Sequence, residues 1–153
     1  MREILFRGKL KVDNGEHKKG DWVFGDLVRI KDGEKTSTMI YGFGEVDPST
    51  VGQYTGLTDK NGKKIFEGDV IKSDNGRISA ISVVLYGKFE PKLFYDLIER
   101  YVRPRPTEKM YGLFAKSTKG EEMLLSECSH LIEVIGNIHD NPKLLGGVNN
   151  GST

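Results

Sequence analysis

The chain has 153 residues, 37% of them hydrophobic and 29% charged, and a net charge of +1. That composition is globular, and so balanced a charge excludes a long-range field drawing nucleic acid or an anionic membrane to the whole chain. The single cysteine, Cys128, excludes an intramolecular disulfide and a cysteine zinc site, and no apolar run reaches bilayer length.

The opening MREILFRGKLK carries no apolar stretch of signal-peptide length, so a cytoplasmic protein is expected. Ile4-Leu5-Phe6 begins the first predicted strand. Trp22 to Ile30 (WVFGDLVRI) is the second, with Gly25 as a candidate bulge. Met39 to Phe43 is a short third. Phe66 and Val70-Ile71 flank a Gly68-Asp69 turn, and Ile78 to Tyr86 (ISAISVVLY) is β-branched and of strand length. Met110 to Lys116 and Glu122 to Leu125 are placed to pair across Thr118 to Gly120, and Leu131 to Ile138 closes the domain.

Turn signals separate these runs: Asp13-Asn14-Gly15, Asp32-Gly33, Asn61-Gly62, Asn75-Gly76 and Lys119-Gly120. Asn-Gly and Asp-Gly favour type I′ hairpin turns, in which two successive residues take positive φ. The pattern predicts a mainly β, hairpin-rich domain over residues 1–145 with a disordered tail, 146–153. One segment departs from it. In Glu90 to Tyr101, Leu93, Phe94, Leu97, Ile98 and Tyr101 recur at helical spacing, Pro91 suits a first turn, and the prolines after Arg103 end the run. A short amphipathic helix is expected over 90–101. Gly-Asp followed by an apolar pair occurs at Gly20-Asp21, Gly25-Asp26 and Gly68-Asp69, a strand entry common in SH3-like barrels.

Three blocks carry a family resemblance: Arg2-Glu3-Ile4 with Phe6-Arg7-Gly8, the central QYTGLTDKNGKKIFEGDVIK (Gln53 to Lys72), and the closing EVIGNIHDNPKLL (Glu133 to Leu145). Together they resemble the YopX family over nearly the whole chain. His17-Lys18-Lys19-Gly20-Asp21 departs from the common pattern by lengthening the first turn. The resemblance implies a phage or prophage origin, a compact β-rich fold and self-association. It implies no enzyme activity and no catalytic residues.

Candidate sites each have two readings. Tyr54 and Phe66 suit either stacking platforms, with Lys60, Lys63 and Lys64 as phosphate contacts, or core anchors of a hairpin with a solvated turn. Arg100, Tyr101, Arg103, Arg105 and Lys109 form the locally basic segment with an aromatic inside it, and read as a nucleic-acid contact or a stiff exposed connector. Cys128 and His130 stand two apart, as a nucleophile and base would on one strand face, but no third orienting group accompanies them. His139-Asp140-Asn141 has too few ligands for a metal, and Asp140 or Asn141 reads better as the cap of a short Pro142 to Leu145 turn. Gly62-Lys63-Lys64 lacks the spacing of a phosphate-binding loop, and neither Glu67/Asp69 nor Glu121/Glu122 is marked as an acid–base pair. The expectation is therefore a non-catalytic, homo-oligomeric protein with no cofactor, metal, membrane or small-molecule partner, or else a nucleic-acid-binding small β-barrel.

Overall fold

The computed structural model describes residues 3–74, 76, 79–89, 110–125 and 129–146. It is mainly β, as the turn-rich sequence predicts, and the described strands form three antiparallel sheets. The helix expected over 90–101, Asn75, Cys128 and residues 147–153 of the tail lie outside the described residues. No described helix is long and apolar enough to cross a membrane. The chain divides into two compact units, Met1–Gly56 and Leu57–Thr153.

In the first unit, β1 (Phe6–Lys9) pairs with β2 (Trp22–Gly25) and with the start of β6 (Gly52–Thr58). A second sheet runs β3 (Leu27–Asp32), β4 (Lys35–Ile40), β5 (Gly44–Glu45). The single strand expected over Trp22–Ile30 is thus two strands in two sheets, broken at Asp26. Gly25 ends β2 in regular register opposite Phe6 and is not a bulge, and a Cβ there would lie 3.0 Å from Ile40 Cγ2. Gly8 makes the same allowance, with Val46 Cβ 3.0 Å from where its own Cβ would be. Leu10, Val23, Ile40 and Val46 fill the core between these elements, with Phe6, Leu27, Phe43 and Val51 against them. Each fully buried aliphatic side chain contributes roughly 2 kcal/mol. The lengthened first turn is pinned to the same unit. Asn14 Nδ2 donates to the Phe43 carbonyl at 2.8 Å, and the His17 and Phe43 rings lie 5.4 Å apart.

In the second unit the sheet order is β11-β10-β9-β8-β12. The strands are β8 (Asp69–Asp74), β9 (Ser79–Phe89), β10 (Met110–Ser117), β11 (Glu122–Leu124) and β12 (Ile132–Asn137). β10 and β11 pair as the sequence predicts, Lys116 opposite Glu122. β7 (Lys64–Phe66) leads into β8 through the Gly68-Asp69 turn. Ile65, Ile71, Val84, Ala115, Leu125, Ile132 and Val134 form this unit's core. Ile135 is an extra residue in β12, since Val134 faces Ile71 and Gly136 already faces Val70.

The turn chemistry differs from expectation. No described non-glycine residue has positive φ, so the Asp32-Gly33, Asn61-Gly62 and Lys119-Gly120 turns are not type I′. Gly33, at φ 59°, is the first residue of a two-residue loop between the paired Asp32 and Lys35, the pattern of a II′ turn. The other two turns carry positive φ on glycine alone, after a type I bend.

Candidate functional site

The central block builds one joint. After β6 the chain turns at Asp59-Lys60-Asn61-Gly62-Lys63. Gly62 N–H donates to the Asp59 carbonyl at 2.9 Å, and Asp59 N–H to the Lys63 carbonyl at 2.8 Å. Asp59 Oδ1 accepts from the amides of Asn61 (2.8 Å) and Lys63 (2.9 Å). Its other oxygen, Oδ2, accepts from the Val134 amide in β12 at 3.0 Å. Lys60 adds two contacts to the same strand: its amide donates to the Ile132 carbonyl at 2.9 Å, and its Nζ lies 2.6 Å from Glu133 Oε2. The turn therefore covers the outer side of β12, which would otherwise be a sheet edge.

Asp59 is 5% exposed, and its charge is compensated in place. Burial works to raise its pKa, but the amides of Val134, Lys63 and Asn61, with the Lys63 charge, together hold it below the ordinary aspartate value. The hydrogen bond to Glu133 raises Lys60. A second buried carboxylate, Asp69, accepts from the Phe66 amide at 2.8 Å and fixes the Gly68 turn. Both aspartates act on backbone, not on an open cleft.

The predicted site residues fall out accordingly. Tyr54 and Phe66 are buried, 7% and 4% exposed, so they are core anchors and offer no stacking face. Lys60 is committed to Glu133, the Lys63 side chain is exposed at the turn, and Lys64 is half-buried in β7. Arg100, Tyr101, Arg103, Arg105 and Lys109 lie outside the described residues. So does Cys128, while His130 is exposed on a short 3-10 turn, Ser129–Leu131. The described residues contain no cluster of three or more His, Cys, Asp or Glu able to hold a metal. Pro142–Leu145 does form a 3-10 turn with proline at its start, but Asn141 does not cap it with its side chain. Asn141 Oδ1 instead accepts from the Asn137 amide at 3.3 Å, across Gly136, where a Cβ would come within 2.5 Å of that oxygen.

Two features of the first unit were not singled out in the sequence. Trp22 carries a cation on its ring, with the Arg7 guanidinium 4.8 Å and Lys9 Nζ 5.4 Å from the centroid. Lys9 faces Trp22 across β1–β2, so period-2 alternation in both strands was the available signal. The second feature is the outward face of the β3–β4 hairpin. Val28 pairs with Met39, Ile30 with Ser37 and Asp32 with Lys35, while Leu27 and Ile40 face the core. On that outward face Ile30 is 50% and Tyr41 75% exposed, and Val28 and Met39 are half-buried between them. Glu45 lies beside Met39 on β5. Its hydrogen bond from Lys11, with the charges of Lys11 and Lys35, holds its carboxyl below the usual range against a desolvation effect that opposes them.

Among known families, the model described as YopX protein matches residues 12–146. Among solved structures, the crystal structure of protein EF1440 from Enterococcus faecalis is similar at 19% identity and a TM-score of 0.41, covering 95% of this chain and 99% of that one. No curated protein matches the chain.

Proposed function

The chain belongs to the YopX family, and on that premise we propose that it is a phage- or prophage-derived accessory protein that acts by self-assembly or binding and not by catalysis. Its setting in this reading is the host-cell cytoplasm. The observation that supports it is the β3–β4 hairpin, which turns an apolar strip containing Ile30 and Tyr41 outward from a unit whose core is already filled. The buried carboxylates, by contrast, are spent on backbone amides. The small-barrel geometry expected from the Gly-Asp entries belongs to the same proposal, with the two sheets around Leu10, Val23, Ile40 and Val46 as its place.

Light scattering coupled to size exclusion, run over a concentration series, tests the reading. Self-assembly predicts a mass that rises above the 17.1 kDa of one chain as concentration increases. A single-chain mass at every concentration would remove the assembly reading.

A further inference from the structure

Opposite charges stand directly across the outward face of the β3–β4 hairpin. Alternation from Val28 and Ile30 puts Asp26 and Asp32 on that face, and Met39 puts Tyr41, Ser37 and Lys35 there. From tip to base the cross-strand rows read Asp32 with Lys35, Ile30 with Ser37, and Val28 with Met39. Asp26 with Tyr41 completes the series, since the Tyr41 amide donates to the Asp26 carbonyl at 2.9 Å. The charged row is at the tip, and the apolar rows lie between it and the base.

That order is self-complementary. Rotating a second copy by half a turn, about an axis that runs along the strands midway between β3 and β4, lays each β3 over the other copy's β4. Asp32 then faces Lys35 and Lys35 faces Asp32, so four charges alternate in sign around the axis. Val28 meets Met39 twice, and each Tyr41 hydroxyl is set to donate to an Asp26 carboxylate. The other face-to-face dyad, perpendicular to the strands, would lay Asp32 over Asp26 and is disfavoured by like charge. Edge-to-edge pairing through β3 is disfavoured too, because Arg29 and Lys31 line the opposite face of that edge strand and would meet in the register that aligns Ile30 with itself.

We propose that the outward face of the β3–β4 hairpin is a homodimer interface in which two copies stack face to face about this dyad, with Asp32 and Lys35 of each copy answering Lys35 and Asp32 of the other. The proposal rests on the self-assembly reading above and assigns it a surface. A face of four residue rows is smaller than the ~800 Å² per partner of a standard interface, so the dimer is weak and concentration-dependent.

The test uses the full chain with Asp32→Lys and Lys35→Asp as separate variants, and Ile30→Glu as a third. Asp32→Lys places two cations on the face and Lys35→Asp two anions, so each alone dimerises about tenfold more weakly than wild type or worse. An equimolar mixture of the two restores the doubled mass, because the cationic face meets the anionic one. No effect confined to one chain could produce that recovery. Ile30→Glu stays monomeric, and unchanged far-ultraviolet circular dichroism shows that each variant is folded. Charge variants that associate like wild type, or a mixture that does not recover, would overturn the surface while leaving self-assembly standing. A wild-type chain that never exceeds one chain mass would overturn both.

Discussion

Two hairpin turns in the second unit have nearly the same backbone and different consequences. Asp59–Lys63 and Ser117–Glu121 each place glycine fourth, at φ 82° and 83°. Each has the first residue's amide bonded to the fifth carbonyl at 2.8 Å and the glycine amide bonded to the first carbonyl at 2.9 Å. Each also uses its first side chain as acceptor for the third and fifth amides. For Ser117 those contacts are 3.3 and 3.1 Å, from Lys119 and Glu121. The difference is one oxygen. Serine has only its hydroxyl, which closes the turn on itself and donates to Glu121 Oε2 at 3.3 Å. Aspartate has a second acceptor, and that one reaches Val134 in β12. A local turn becomes a tertiary joint through the choice of its first residue.

Asp59→Ala separates these roles most severely. It leaves three backbone amides without their acceptor, and one of them, that of Val134, makes a buried bond. The expected loss is about 4 kcal/mol, read from the midpoint of denaturant unfolding. Asp59→Ser converts this turn into a copy of the other one and recovers about half of that loss, since only the β12 contact is then missing. Equal losses for Ala and Ser would show that the turn bonds contribute nothing and that the joint is all.

The two turns also differ in their response to acid. The Asp59 pKa is depressed in the folded chain. Its contribution is therefore complete above the unfolded value of about 4 and is lost as pH falls through and below it. Wild type should lose stability between about pH 5 and pH 2 more steeply than Asp59→Asn, which has no charge to lose. Parallel pH profiles would contradict the assignment. Ser117→Ala is the next smaller effect, about 1 kcal/mol, from a half-buried neutral acceptor at the longer distances, and it adds no acid dependence.

How much of this the sequence held depends on range. The β10–β11 hairpin was legible because its signals are local: a polar first residue, Gly120, and apolar runs on both sides. The Asn61-Gly62 turn was legible in the same way, but Asp59, two residues before it, was not singled out. Its contact with Val134, 75 residues on, has no local signature. Trp22 to Ile30 read as one strand because apolar residues stand on both sides of Gly25-Asp26. The split lies in long-range pairing, β2 with β1 and β3 with β4, which periodicity does not carry. On β3 and β4 both faces hold apolar residues, Leu27 and Ile40 on one and Val28, Ile30 and Met39 on the other. Only the positions of Val46 and Leu10 decide which face is the core.

The smallest effect belongs to the contact that looks most prominent. Lys60 and Glu133 are 2.6 Å apart, yet their side chains are 45% and 41% exposed. Water screens such a pair, and holding two long side chains in one geometry has an entropic cost that offsets most of the attraction. The Lys60 amide keeps its bond to Ile132 whatever the side chain is. Lys60→Ala should therefore lower the melting temperature by no more than about 2 °C, and added salt should lower wild type toward the variant. A loss as large as that of Asp59→Ser would mean that the ion pair, and not the buried carboxylate, fastens the turn to β12. Measured side by side, the two variants decide which of two contacts on the same strand holds the joint.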